Sequence, residues 1–276
     1  MFEKATNLPS SLVLVGGGKM GGAMLEGWLR VGLPADAASV IDPVPSPDLQ
    51  TLCATKGVAL NPSLDTLGHP DVLVLAIKPQ SLGDAAESIA PLAGPKTMLV
   101  SVLAGKTVAN LKAAIPGCGG FVRAMPNLPA SIARGATGAY ASPELSGEQR
   151  ATANSLLRAV GIVEWVDDEA LIDAVTAVSG SGPAYVFYLA ECLAQAGVAA
   201  GLPADLARRL ARATVAGSGQ LLATSDLEAG QLRENVTSKG GTTAAALEVL
   251  MADDGLAPLL REAVAAAKKR AGELSC

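Results

Sequence analysis

Apolar and polar positions divide this chain into two unlike halves. Up to Val166, short apolar runs alternate with helical stretches, and from Asp168 onward only helical spacing remains. Leu12–Val15 is apolar throughout and ends in glycines. Lys19–Val31 then repeats apolar residues at helical spacing through Met20, Met24, Leu25 and Trp28. Ser39–Ile41 predicts a second short strand closing at Asp42-Pro43. In Asp71–Ile77 (DVLVLAI) the apolar run is unbroken after the aspartate, the pattern of a strand buried on both faces. Met98–Leu103 and Gly120–Arg123 predict further strands, with Ala136–Tyr140 and Ile162–Val166 as weaker candidates at one edge. This alternation predicts an α/β fold, a parallel sheet with helices on both sides.

The second half predicts helices at Glu169–Val178, Pro183–Ala200, Pro203–Ala223, Leu227–Asn235, Thr243–Met251 and Leu256–Leu274. Gly201-Leu202-Pro203 is a stop and restart, glycine ending one helix and proline opening the next. Beyond it, Leu206, Leu210, Ala213, Gly217 and Leu221 form one apolar stripe. The change of pattern sets the expected domains at residues 1–167, a dinucleotide-binding unit, and 168–276, a helical unit.

Half of the 276 residues are apolar but only 3% are aromatic, so the core must be aliphatic and alanine-rich, which favours closely packed helices. A net charge of −5, with no basic cluster beyond Lys268–Arg270, argues against nucleic acid as a partner. The apolar runs are too short to span a bilayer, and the N-terminal residues do not form a secretory signal. Cys53, Cys118, Cys192 and Cys276 lack metal-type spacing, so no metal is expected and reduced thiols in a cytoplasmic protein are the simple reading. The one histidine, His69, precedes a strand in Gly68-His69-Pro70 and reads as a surface-loop residue.

Two stretches carry chemistry. Gly16, Gly17, Gly18, Lys19, Met20 and Gly21 fit G-x-G-x-x-G between a strand and a helix, the context in which that pattern holds a dinucleotide. Asp42 lies about 20 residues on, where a carboxylate accepts ribose hydroxyls and repels a 2′-phosphate. That leans towards NADH; the alternative is a structural Asp42-Pro43 turn. Ligands of open α/β sheets lie beyond the carboxyl ends of the strands. Ala76, Lys78 and Pro79 at one strand end, and Ala104 and Gly105 at the next, are therefore further candidates.

The second stretch is Val236–Leu247 (VTSKGGTTAAAL). Here Ser238, Gly240, Gly241, Thr242 and Thr243 offer hydroxyls and unhindered amides where a helix begins, a cradle for a small carboxylate. Together the two stretches predict an enzyme that holds a small acid against a nicotinamide.

These segments resemble pyrroline-5-carboxylate reductase. The resemblance is carried by VGGGKMGGAM (Val15–Met24), LAIKPQ (Leu75–Gln80), SVLAG (Ser101–Gly105), RAMPNLPA (Arg123–Ala130), LIDAVTAVSGSGPAY (Leu171–Tyr185) and GQLRENVTSKGGTTAAALEVL (Gly230–Leu250). It implies an N-terminal Rossmann domain and an all-α C-terminal domain that interlocks with its twin, giving a homodimer or larger homo-oligomer. It implies NADPH or NADH as cofactor and a cyclic imine carboxylate as substrate. Carried over by position, Glu169, Asn235, Ser238, Gly241, Thr242 and Thr243 fall in the substrate pocket, Gly16–Gly21, Lys78-Pro79 and Ala104-Gly105 along the cofactor, and Arg123, Pro126 and Asn127 near their junction. Lys239 stands where many relatives have proline, and Asp42-Pro43 lacks the usual phosphate-binding residues.

The implied reaction passes a hydride to the imine carbon and needs no protein nucleophile. Thr243 is the candidate for the contact to the imine nitrogen, with helix capping as its alternative role unless Thr242 caps instead. Glu169 positions the pocket or balances iminium charge, or is a solvated helix-start residue. Asn235 orients the loop or merely ends its helix. Ser179–Pro183 is either a structural kink or substrate-side packing. A β-hydroxyacid dehydrogenase would want a lysine on the long helix, and Asp173–Tyr188 has none. A non-catalytic dinucleotide-binding regulator would not need the Ser238–Thr243 loop.

Overall fold

The computed structural model describes residues 5–274, so Cys276 lies outside the described residues. Eight strands form one sheet in the order β3-β2-β1-β4-β5-β6-β7-β8. They are β1 (Leu12–Val15), β2 (Ala38–Ile41), β3 (Ala59–Leu60), β4 (Val72–Leu75), β5 (Met98–Ser101), β6 (Gly120–Met125), β7 (Gly135–Ala141) and β8 (Gly161–Val166). The pairings from β3 to β6 are parallel; β7 runs antiparallel to β6, and β8 is parallel to β7. Both weaker strand candidates therefore form, but reversed relative to the rest. Strand β3 has no counterpart in the sequence reading, because two half-exposed edge residues leave no hydrophobic run.

Alternation explains why β1 and β4 are apolar at every position. Leu12, Leu14, Val72 and Val74 face one core layer with Met24, Leu25, Trp28, Leu156 and Leu157. Val13, Val15, Leu73 and Leu75 face the other, with Leu82, Ile89, Leu111 and Ile115. Successive strand side chains point to opposite faces, so a strand covered on both sides needs no polar position. The covering helices are α1 (Lys19–Val31), α2 (Pro47–Lys56), α3 (Leu82–Ile89), α4 (Val108–Ala114) and α5 (Gly147–Arg158). The indole N–H of buried Trp28 on α1 donates to the Leu156 carbonyl of α5 at 2.9 Å, so its polar atom is satisfied within the core.

After β8 comes α6 (Leu171–Val175), shorter than the predicted Glu169–Val178 helix, and then a π-helical turn over Thr176–Gly180. Side-chain competition for backbone groups explains the widening. Thr176 and Ser179 hydroxyls donate to the carbonyls four residues earlier, and the Asn127 amide takes the Ser179 carbonyl at 3.0 Å. The Ser179–Pro183 region is thus a break in the helix.

Two compact units emerge, one comprising residues up to Gly180 together with those from Ala267 onward, the other Ser181–Ala266. The last strand ends at Val166, beside the 167/168 change of pattern, but α6 packs on β6 and β7 and stays with the sheet. The helical unit holds α7 (Gly182–Ala199), α8 (Ala204–Thr224), α9 (Ala229–Asn235), α10 (Thr242–Leu250) and the first part of α11 (Leu256–Leu274). Helices α7 and α8 meet through small residues: Ala194, Ala207 and Ala211 are buried. The expected Leu206–Leu221 stripe is not the buried seam. Leu210 and Leu221 are about half exposed, at 49% and 51%. Alanine lets the two backbones approach, which turns the leucines outward. No helix among the described residues is long and apolar enough to cross a membrane.

Candidate functional site

The glycine loop follows β1 and opens α1. Gly16 has φ +93°, a left-handed conformation that glycine adopts freely, and an added Cβ would sit 2.7 Å from the Ala76 carbonyl oxygen. A Cβ on Gly21 would collide with the Gly16 carbonyl oxygen, so the helix crosses the turn at backbone distance. Gly18 differs. It is the N-cap of α1, no side chain caps the helix, and space around its missing Cβ is open. The first-turn amides of Lys19, Met20 and Gly21 therefore end on an open, unhindered glycine, which is the arrangement a pyrophosphate needs. The residues present fit a dinucleotide.

Gly17, the variable position of the motif, is also constrained. Its N–H donates to Asp42 Oδ2 at 2.8 Å, and a Cβ there would strike the Leu49 side chain of α2. Asp42 Oδ1 accepts the Val44 N–H at 2.9 Å. The turn reading of Asp42 is borne out, since its carboxylate braces the turn after β2; it also borders a cavity. Asn61, which the sequence analysis missed, locks the same corner. Its Oδ1 accepts the Asp42 N–H at 2.8 Å and its amide donates to the Asp42 carbonyl at 2.7 Å, while its own φ is +51°. The available signal was an asparagine placed just after a short edge strand, where left-handed backbone is tolerated.

The cavity beside this corner measures about 760 Å³ and is bordered by Gly16, Gly18, Asp42, Asn61, Ala76 and Lys78, among others. Lys78 is exposed at its rim, and Pro79 opens a short 3-10 turn just beyond. Among the described residues, Lys78 is the one basic residue along the border. Ser46, the first hydroxyl after Asp42, accepts the Leu49 N–H as N-cap of α2. Ala104 and Gly105 lie past β5, the sheet neighbour of β4, and do not border the cavity. Gly105 has φ +73°, and its missing Cβ would lie 2.7 Å from the Leu274 carbonyl oxygen at the end of α11.

Glu169 belongs to the sheet unit, whereas Asn235, Ser238, Gly240, Gly241, Thr242 and Thr243 belong to the helical unit. Its Oε1 accepts the Val108 N–H at 2.7 Å and faces Arg123 Nη1 at 3.4 Å; Arg123 Nη2 faces Asp173 Oδ1, also at 3.4 Å. The alternative of a freely solvated glutamate is thereby corrected. Arg123 is buried on β6, where an unpaired guanidinium would be costly. Asn127 is a brace as well: besides its bond to Ser179 it accepts the Ala136 N–H at 2.9 Å. His69 is exposed, as expected, and abuts Gly94.

In the helical unit, Ser238–Gly241 is a tight turn. The Gly241 N–H donates to the Ser238 carbonyl at 3.0 Å, and Gly240 is left-handed at φ +70°. That corrects the expectation of a carboxylate held by the Gly241 amide, since the turn itself consumes this donor. Capping also differs from both alternatives. Gly241, rather than Thr242 or Thr243, is the N-cap of α10, without a side-chain cap. Ala245 makes the first bond back to Gly241, which leaves the amides of Thr242, Thr243 and Ala244 facing outward. The missing Cβ of Gly241 lies 2.5 Å from Ser238 Oγ, so that hydroxyl sits at the helix start. Asn235 ends α9 and accepts the Gln231 amide at 3.2 Å, which favours its helix-ending role.

Comparison with known proteins covers nearly the whole chain. Residues 169–274 match the family model for pyrroline-5-carboxylate reductase dimerisation, and residues 11–105 match that for NADP oxidoreductase coenzyme F420-dependent. The chain is 38% identical over 264 residues to the pyrroline-5-carboxylate reductase of Pseudomonas aeruginosa, covering 96% of each. It is 37% identical over 264 residues to that of Synechocystis sp., covering 95% of this chain and 97% of the relative. Among solved structures, a pyrroline-5-carboxylate reductase from Coxiella burnetii aligns with a TM-score of 0.89 at 33% identity, covering 97% of this chain and 99% of that one. The Plasmodium falciparum pyrroline carboxylate reductase, solved with NADP bound, aligns with a TM-score of 0.79 at 27% identity, covering 96% and 98%.

Proposed function

The chain belongs to the pyrroline-5-carboxylate reductase family, and from that premise we propose how its own residues carry the reaction. It reduces 1-pyrroline-5-carboxylate to L-proline, the last step of proline biosynthesis, as an NAD(P)H-dependent oxidoreductase. When bound, the reduced nicotinamide supplies the hydride to the imine carbon.

The protein's part is binding, orientation and one polar contact. Gly16, Gly17, Gly18, Lys19, Met20 and Gly21 hold the pyrophosphate on the α1 N-terminus, Asp42 meets the adenosine ribose, and Ala76, Lys78 and Pro79 border the next segment. Ala104 and Gly105 take the nicotinamide end. In the helical unit the free amides of Thr242, Thr243 and Ala244, with the Ser238 hydroxyl and the open Gly240, receive the substrate carboxylate. The Thr243 hydroxyl donates to the imine nitrogen or orders its proton source. The observation that carries this reading is the uncapped start of α10, where a partial positive charge meets hydroxyls and no side-chain cap.

Asp42 favours NADH over NADPH. A carboxylate at the end of β2 would repel a 2′-phosphate, and Ser46, the next hydroxyl, is engaged as a helix cap. The match of residues 169–274 to a dimerisation family supports a homo-oligomer, with a homodimer or a larger assembly as the finer reading. Phe187, Leu189, Leu210 and Leu222, each at least about half exposed, supply an apolar face for a second copy. Free thiols at Cys53, Cys118 and Cys192 favour a reducing compartment such as the cytoplasm.

The decisive experiment follows NADH and NADPH absorbance on addition of pyrroline-5-carboxylate. Oxidation with stoichiometric proline formation is expected, and no turnover with either cofactor would overturn the proposal.

A further inference from the structure

Glu169 matched the substrate pocket by position, yet its carboxylate is committed elsewhere. It accepts the Val108 N–H at 2.7 Å. Val108 is the first residue of α4, directly after the loop that contains Ala104 and Gly105. Thr107 caps that helix and forms a reciprocal capping box with Asn110, so the loop's exit is rigid. Glu169 thus adds an anion at a helix N-terminus, where the partial positive charge and a free amide both favour it.

The carboxylate is in turn held in place. Arg123 reaches it from β6 and reaches Asp173 with its other terminal nitrogen, each at 3.4 Å. The Arg123 side chain is 5% exposed, against 25% for Glu169 and 20% for Asp173, so the cation is the buried anchor and the carboxylates lie on its outer side. On the opposite flank of the loop, the Leu274 backbone closes on Gly105. The β5–α4 loop is therefore held at its exit by Glu169 at Val108 and within the loop by the end of α11 at Gly105.

We propose that Glu169 is a positioning residue for the nicotinamide end of the coenzyme site, acting through the Val108 N–H rather than by touching the substrate, with Arg123 fixing its carboxylate. This rests on the reading that Ala104 and Gly105 border the nicotinamide. Loss of the Glu169 bond frees the loop next to the nicotinamide and leaves the adenosine half, built on the glycine loop and Asp42, unchanged.

The test uses the full-length enzyme with Glu169→Ala, Glu169→Gln and Val108→Pro. Proline is tolerated at the first helical position, where it removes the N–H donor but also replaces the buried Val108 side chain, so a thermal melt accompanies each variant; Thr107 is already extended at φ −79°, ψ 162°, as a residue before proline must be. Affinities for NADH and for ADP-ribose, which lacks the nicotinamide, are measured beside the KM values for both substrates. Glu169→Ala and Val108→Pro are expected to weaken NADH by about tenfold, the loss of one charge-assisted hydrogen bond, with ADP-ribose and the imine KM unchanged. Glu169→Gln keeps a carbonyl acceptor and recovers most of the loss. A rise in imine KM alone would make Glu169 a substrate ligand and overturn the proposal. Equal weakening of NADH and ADP-ribose, or no effect, would overturn it too. Failure of the wild-type enzyme to reduce pyrroline-5-carboxylate is a separate result, bearing on the function itself.

Discussion

Asp42 accepts the Gly17 N–H on Oδ2 at 2.8 Å, which joins the end of β2 to the glycine loop as one rigid corner. The bond spans residues that only the parallel sheet brings together, since β1 and β2 pair in register and Val15 lies opposite Ile41. One carboxylate therefore shapes the glycine turn and borders the cavity beside it.

Cofactor choice follows from that charge. With Asp42 intact, kcat/KM with NADH is expected to exceed that with NADPH by about tenfold or more, the Coulombic cost of a 2′-phosphate near a carboxylate. Asp42→Ser keeps a short acceptor for Gly17 and should narrow the ratio. Side-by-side steady-state rates check both statements, and a wild-type preference for NADPH would refute them.

Two glycines of one motif should respond in opposite ways. Gly21→Ala drives a methyl into the Gly16 carbonyl and is expected to cost about 3 kcal/mol of stability or prevent folding. Gly18→Ala points its methyl into open space, so the melting temperature should hold while NADH affinity falls by about tenfold or more. Thermal melts with and without NADH separate these cases.

Thr243 is not the N-cap of α10, so its removal should leave the helix intact. Thr243→Ala is expected to lower kcat or raise the imine KM by about tenfold, with the NADH dissociation constant unchanged, and Thr243→Ser should restore most of the activity. Unchanged kinetics would take Thr243 out of the mechanism.

Burial pushes the Cys118 thiol up from 9.0 to about 11. A native state that favours the thiol holds its proton more tightly than the unfolded chain. The resulting stability is complete below about pH 9 and fades as pH rises towards about 11. Urea unfolding of wild type and Cys118→Ala at pH 8 and near pH 10.5 should show the wild-type advantage shrinking. Alkylation at pH 8 should reach Cys118 only through unfolding.

Wherever local periodicity decides an element, the chain's own pattern sufficed. Leu12–Val15, Lys19–Val31 and Leu256–Leu274 were read with the bounds the structure shows. Strand β3 escaped because pairing with β2, not hydrophobicity, makes Ala59–Leu60 a strand. The π-turn at Thr176–Gly180 escaped because Asn127, far away in sequence, takes one of its carbonyls. The glycine loop and the Ser238–Thr243 segment stand out in the sequence because glycines and hydroxyls before a helix mark where first-turn amides have no partner within the helix.

Sequence alone determined the α/β-then-helical plan, the glycine turn between β1 and α1, and the run of glycines and hydroxyls before α10. All of these rest on spacing within one or two elements. Tertiary structure decided which donors remain available: it committed the Gly241 amide to a turn, gave Glu169 to Val108 and Arg123, and turned the leucines of α8 outward. The reason is physical. A side chain's intrinsic chemistry is written in its identity, but whether its hydrogen bonds are spent is settled by partners that only folding brings within 3 Å or so.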